Sequence, residues 1–311
     1  MRVYYDDIFA AVGLGLVQAA YQKIMACEVR KMANYLVEII TAIKVPVLAG
    51  LFLIMFLEML LSIFMRAKNY HSNETASNFG ILILYALGKV FIQPVFIASL
   101  FLVYEHSIFK FDSNNLVFFI ILLLGIDFVL YWWHRLAHEV NFLWLFHSVH
   151  HSSSDFNLAI SGRISVIEAL YRWMLVIPFA YVGFPPLMIL AAAFLIRVYV
   201  IATHTTLDFN RFEWANKIFN TPGLHRVHHG SEWECLDTNY GAVLAIWDRM
   251  FGSYKAPFEV KTYGLVEPIT TKEPLEVNFV VVGRTIEGIG KTKRFVDKLT
   301  FLFKRPSKTA A

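Results

Sequence analysis

Cysteine and charge are both scarce in this chain of 311 residues. Cys27 and Cys235 are the only cysteines and neither sits in a CxxC, which excludes a disulfide framework, a thiolate metal cluster and a thioredoxin-like pair. Charged residues make up 17% of the chain against 57% hydrophobic and 16% aromatic, and the mean hydropathy is +0.52, so soluble, disordered and fibrous classes are excluded. There is no low-complexity linker, Gly/Ser hinge or repeat, and the GLGL at Gly13 to Leu16 is not a dinucleotide-binding loop. Positive charge is also confined: from Tyr254 onward eleven Lys and Arg stand against six Asp and Glu, a surplus of +5, while the rest of the chain carries −1. A basic tail suits anionic lipid headgroups, and no basic stripe interleaved with aromatics marks a nucleic-acid partner.

What the sequence does contain is long apolar runs. Val45 to Met65, bounded by Lys44 and by Arg66 with Lys68, is long enough to cross a hydrocarbon core of about 30 Å. Phe79 to Tyr104, interrupted by Lys89 and Pro94, and Leu116 to Trp133 follow. Ile164 to Thr203 carries Pro178, Gly183, Pro185 and Pro186 near its middle and reads as two helices joined by a turn. Met1 to Cys27 mixes Asp6, Asp7, Gln18, Gln22 and Lys23 with apolar residues and reads as an amphipathic interfacial helix, not a cleaved signal peptide. The expected architecture is an all-α integral membrane protein with about four to five transmembrane helices and a cytoplasmic helical cap. Its expected parts are an interfacial region (1–44), a membrane-embedded domain with its cap (45–255) and a basic tail (256–311). Three single crossings before the cap leave the amino terminus on the opposite face, unless the first helix also crosses or the Pro94 run is re-entrant.

Nine of the eleven histidines fall between His134 and His229. They form His134 and His138 in HRLAH, His147, His150 and His151 in HSVHH, a lone His204, and His225, His228 and His229 in HRVHH. Residues three or four apart share a helix face, close enough for two imidazoles to grip one ion. Asp127, Tyr131, His134 and His138 line one such stripe running out of the third apolar segment. A hairpin between the outer clusters returns the chain to the face it left, so all nine rings can converge. Four ligands satisfy one tetrahedral ion, so a set this large implies at least two, and an all-imidazole pair suits iron, copper or zinc. Satisfying core hydrogen bonds accounts for a lone histidine but not for three such clusters; His71 and His106 stand outside them. HRLAH is not the HExxH of zinc proteases, because Arg135 occupies the position of the general base. Glu139 could orient an imidazole or relay a proton, or be an ordinary solvated acid. Asp127, ionisable within an apolar run, is expected to hydrogen-bond a ligand histidine, the alternative being a buried structural hydrogen bond. Glu58 carries the same argument with no ligand nearby.

These residues resemble the fatty acid hydroxylase superfamily of membrane di-iron enzymes, also called the sterol desaturase family. The match runs from about Asp127 to Tyr254, and DFVLYWWHRLAHEVNFLWLFHSVHHSSSDFNLAISGR, NTPGLHRVHHG and TNYGAVLAIWDRMFGSY are similar to its alkylglycerol monooxygenase branch and bacterial relatives. The resemblance implies a non-haem centre of two iron ions, replaceable by zinc in purified material, held by the nine clustered histidines. It implies use of O2 to hydroxylate or desaturate a C–H bond of a membrane lipid, such as a fatty acyl, alkylglycerol or sterol-like molecule. It also implies supporting or catalytic roles for Asp127, Glu139, Asn157, Asn239 and Asp248, and matches Arg163, Asp237, Tyr240 and Trp247. Trp132, Trp133 and Trp144 fit an aromatic belt.

Cleaving an unactivated C–H bond takes a metal-based oxidant and two external electrons. The sequence carries no dinucleotide loop or haem segment to supply them, so the expected reductant is a tetrahydropterin or a cytochrome or ferredoxin partner. The lipid is expected to enter along the third-span stripe. Two rival readings are a zinc-dependent membrane hydrolase and a metal-binding protein without catalysis. The expected location is a bacterial inner membrane or the endoplasmic reticulum, with the histidine cap in the cytoplasm.

Overall fold

The computed structural model describes residues 27–65, 67, 69–207 and 213–306. The expected interfacial helix over Met1 to Cys27 lies outside them but for its last residue, as do Arg66 and Lys68. The described residues are helical, with no named strand among them. Three helices are long and apolar enough to cross a membrane: α1 (Cys27–Phe64) through its Val45–Phe64 portion, α2 (Ser72–Glu105) and α3 (Leu116–Glu139). Their apolar side chains point outward, as Phe52, Leu53, Ile63 and Phe64 of α1 do, which is the arrangement lipid requires. α1 runs unbroken across the expected 44/45 boundary, and α2 runs unbroken through Pro94. Neither helix is re-entrant: the hydrogen bond removed by a proline ring does not end a helix that apolar surroundings oblige to satisfy its own backbone.

The fourth apolar run forms the expected hairpin, but only its returning limb is one continuous helix. Its outgoing limb is α5 (Val166–Tyr171), a 3-10 turn (Arg172–Val176) and α6 (Ile177–Val182). Pro178 lacks an N–H and stands in the first turn of α6, where that loss costs least, so the chain restarts there. Gly183 then turns the chain at φ +129°, and a Cβ there would lie 2.3 Å from the Phe109 carbonyl oxygen. The returning helix α7 (Pro186–Ala202) is 17 residues, about 25 Å, short of the ~30 Å core. The hairpin packs on α2 and α3 through Leu100, Leu122, Ile126, Ala180, Ile189 and Ala192. Gly125 admits the Phe179 ring, which a Cβ would meet at 2.7 Å.

The cap collects α4 (Asn141–His151), α8 (Glu213–Ile218), α9 (Pro222–His229), α10 (Ile246–Phe251), α11 (Pro274–Gly290) and α12 (Phe295–Phe303). Trp144, Leu145, Val149, Val277 and Val281 form its own apolar cluster with Ile81 of α2. α11 packs on α4 and α2, and α12 on α4, so the basic C-terminal part lies on the histidine face. α1 ends at that face and α2 starts there. Glu58 on α1 accepts from Thr205 Oγ1 and Thr206 N, both at 2.7 Å, and His71, just before α2, bonds Asp155 at 2.6 Å. α2 leaves and α3 returns, which puts Val45 on the face opposite the histidines.

Candidate metal centre

α3 delivers His134 and His138, and a one-residue break at Val140 (φ −122°, ψ 115°) turns the chain into α4, which delivers His147, His150 and His151. α7 ends just before His204. α9, started by Pro222 and capped by the Thr221 hydroxyl, carries His225, His228 and His229. The structure brings all nine rings together and leaves His71 and His106 outside. They form two sets, each with its ligand nitrogens within 4.8 Å of one another: His134, His138, His147, His151 and His228, and His150, His204, His225 and His229. The sets adjoin, with the His151 and His229 rings stacked at 4.3 Å. Every one is 9% exposed or less.

Five of the outer nitrogens are pinned. Nδ1 of His134 bonds the Tyr240 carbonyl at 2.9 Å, Nδ1 of His150 the Arg163 carbonyl at 3.1 Å, and Nδ1 of His204 the Val200 carbonyl at 2.8 Å. Nδ1 of His228 bonds the Thr238 carbonyl at 2.8 Å, and Nδ1 of His147 the Glu168 carboxylate at 3.3 Å. A carbonyl only accepts, so in the neutral rings these contacts place the proton on Nδ1 and leave the Nε2 lone pair facing inward. Nε2 of His134, His138, His147, His151, His228 and His229 is buried with no hydrogen-bond partner. Six orphaned ring nitrogens in one place would be costly unless something binds them. This donor set, all imidazole nitrogen with five of its outer atoms anchored, fits two first-row transition ions such as iron.

The electrostatics agree. Burial pushes His225 and His229 well below the usual histidine range, with neighbouring imidazoles adding to it. Burial brings His204 and His228 down to about 3 against the opposing pull of their carbonyl partners. These four rings are therefore neutral near pH 7, the form that ligates metal.

None of the five other expected site residues touches an imidazole. Asp127 accepts from Val243 N (2.7 Å), Leu244 N (3.2 Å) and Trp247 Nε1 (2.8 Å), so it ties the cap loop to α3 and is not the partner of a ligand histidine. Asp248 accepts from Tyr240 N and Ser253 Oγ, each at 2.7 Å, and from Gly241 N at 2.8 Å; it reaches His134 only by fixing the Tyr240 peptide. Asn239, at φ 56°, binds the Leu224 and Lys255 carbonyls. Asn157 caps Ala159 N and bonds the Asn69 carbonyl. Glu139 pairs with Arg135 and Arg305 at the end of α3. Arg163, fully buried, joins Val149 O and Ser152 of the α4 end to Glu74 and Asn78 of α2 while its own carbonyl holds His150. Burial lowers its guanidinium to about 10, which leaves it charged at neutral pH.

Sequence reasoning missed Glu168. It lies in the apolar stretch ISVIEALY, the same signal that singled out Asp127, and it is the carboxylate that bonds a clustered histidine, while its other oxygen takes Arg172 Nη1 at 3.0 Å. It also lines a cavity of about 40 Å³ that faces His134, His147, His150, His204 and His225, and so opens on both sets. A much larger apolar groove, about 650 Å³, lies between α1, α2, the Leu158–Gly162 turn and α7. Its lining includes no residue of α3; of the stripe expected along the third span, Asp127 is engaged by residues 243–247 and His134 lines the small cavity. Arg197 of α7 lines both spaces.

Comparison with known proteins agrees with this geometry. Residues 119–253 match the fatty acid hydroxylase family model and contain all nine histidines. Alkylglycerol monooxygenase of Xenopus tropicalis is 34% identical over 82% of this chain and 57% of its own length. Ornithine lipid hydroxylase OlsE of Rhizobium tropici is 35% identical over 57% of this chain and 54% of its own. A Delta(7)-sterol 5(6)-desaturase of Aspergillus fumigatus is 28% identical over 42% of this chain and 37% of its own. The chain thus spans little more than half the length of the first two relatives. No solved structure matches it significantly. On its histidine pattern and these similarities, residues 119–253 of the chain form a fatty acid hydroxylase domain.

Proposed function

We propose that this chain is a membrane lipid oxygenase that holds two iron ions on its nine clustered histidines and uses O2 to hydroxylate, or desaturate, a lipid C–H bond. The observation that carries the reading is the convergence of nine buried imidazoles in two sets, six with an Nε2 atom that lacks a partner and five held from behind at Nδ1. When bound, the ions supply the reduction of O2 and the oxidant for the C–H bond. Everything else falls to the protein. The carbonyls of Tyr240, Arg163, Val200 and Thr238 and the Glu168 carboxylate hold the rings in one tautomer and orientation. Glu58 and Arg163 fix the segments that carry His204 and His150. The small cavity leaves room beside both sets for a small reactant.

Hydroxylation consumes O2, two electrons and two protons and yields the alcohol and water. We assign the electrons to a separate donor, a tetrahydropterin or a cytochrome or ferredoxin, so purified protein given O2 alone is expected to be inactive. The basic C-terminal part shares the histidine face, and the positive-inside rule assigns that face to the cytoplasm.

The test is lipid analysis of reconstituted, iron-loaded protein with reductant under 18O2. Label in a lipid hydroxyl supports hydroxylation, and a new double bond without label supports desaturation. Lipid cleavage in the absence of O2 would overturn the reading in favour of a metal hydrolase.

A further inference from the structure

We propose that the groove between α1, α2 and α7 binds an acidic lipid, its chain along the apolar walls and its anionic oxygens between Lys89 and Arg197. This deepens the oxygenase reading by naming a substrate property, and it rests on that reading for the link to turnover.

The groove is apolar over most of its wall, through residues such as Leu51, Phe52, Met55 and Leu190. At about 650 Å³ it has the size of a ligand site rather than a packing defect. Its polarity is lopsided. Lys89 and Arg197 line it, and no Asp or Glu does. Neither cation forms an ion pair among the described residues: Lys89 rests 5.4 Å from the Tyr85 ring centroid, and Arg197 donates one hydrogen bond, to Ser161 O at 3.0 Å. Tyr85, which also lines the groove, carries Lys89 over its ring, and the charges of Lys89 and Arg197 both act on its phenol. Glu168 is the carboxylate whose charge reaches Arg197, but its oxygens are committed to His147 and Arg172.

A guanidinium has five N–H donors, and one bond leaves four for a ligand. Two uncompensated cations in an apolar wall are expensive, and an acid group brought by the occupant offsets that cost. Arg197 also faces the small cavity beside the imidazoles, so the occupant's acidic end would lie at the junction of the two spaces, with its chain running back toward the bilayer. A neutral lipid would fill the same apolar walls and leave both cations unpaired.

Trp173 lines the groove and reports occupancy directly. Full-length protein in phosphatidylcholine nanodiscs is titrated with dibromostearic acid or with its neutral monoglycerol ester, and the bromine quenching absent from Trp173→Phe is read as groove binding. The acid is expected to half-saturate the signal at a mole fraction lower by about tenfold or more, the scale of a charge-assisted hydrogen bond. Lys89→Gln and Arg197→Gln should each bring acid and ester together, and Arg197→Lys should restore part of the difference. Lys89 makes no hydrogen bond to the rest of the described chain, so its variant reads the charge even if Arg197→Gln loosens the fold. Equal quenching by acid and ester in the wild type, or an acid preference that survives both Gln variants, overturns the proposal. Displacement of the acid by excess inorganic phosphate overturns the lipid as the source of the anion. Binding needs neither metal nor O2, so its failure leaves the 18O2 test standing, and failure of the 18O2 test leaves this one.

Discussion

The two histidine sets differ in how they are built. The five-membered set stands mainly on α3 and α4, long packed elements, and one of its rings is held by a carboxylate, Glu168. The four-membered set takes His204 from just beyond a helix end and His225 and His229 from an eight-residue helix. Its anchors are neutral, and that of His225 is only a 3.5 Å contact with the Asn220 amide. In the five-membered set all five Nε2 atoms lack partners, whereas in the other His204 Nε2 lies 3.2 Å from His150 Nε2 and 3.0 Å from His225 Nε2. A carboxylate behind an imidazole raises its basicity, and rigid elements lower the cost of ordering ligands. The sets should therefore hold metal with unequal strength, the first more tightly.

The largest effect expected is from breaking either set outright. His138→Ala or His228→Ala should abolish lipid oxidation and lower bound metal, while His71→Ala, outside both sets, should change neither; equal effects at all three would dissolve the distinction between clustered and unclustered histidines. A slow chelator titration followed by metal analysis should empty the four-membered set first, seen as two separate phases of metal release; one phase would make the sets equivalent. Glu168→Gln removes the charged anchor and should cost about 10- to 100-fold in metal affinity or activity. The same loss from Asn220→Ala would cancel the contrast between charged and neutral anchors. Asp127→Asn should behave differently, lowering thermal stability by about 1–3 kcal/mol through its cap-loop bonds with metal content preserved.

Acid sharpens the comparison from another side. His204 and His228 bind protons only near pH 3 in the fold, whereas an unfolded histidine does so near 6.5. Between those values the unfolded chain binds more protons, so stability is fully present above about pH 6.5 and falls as pH is lowered. Metal-free protein should melt at least about 5 °C lower at pH 5 than at pH 7. A melting temperature flat across that window would mean that the rings are not buried neutral.

Much of this was legible in the sequence because it depends on local spacing. Apolar length marks α1 to α3, and the HxxxH and HxxHH repeats mark ring pairs that any helix would place on one face. The prolines and Gly183 mark the hairpin. What spacing does not carry is contact between distant segments. The stripe from Asp127 to His138 is real, yet only the packing of residues 243–247 shows that Asp127 serves the cap loop rather than an imidazole. Glu168 gave the same signal as Asp127, but its value depends on α5 packing beside α4. Most of the anchors are backbone carbonyls, which no residue type announces. The groove forms where α1 meets α2 and α7, three elements that share no motif.

The most direct measurement is metal stoichiometry on iron-loaded protein, wild type beside His225→Ala. Two ions per chain in the wild type, falling to about one when the four-membered set is broken, is the predicted result. A wild-type content of one or none, or two ions retained in the variant, would contradict a centre built from two imidazole sets.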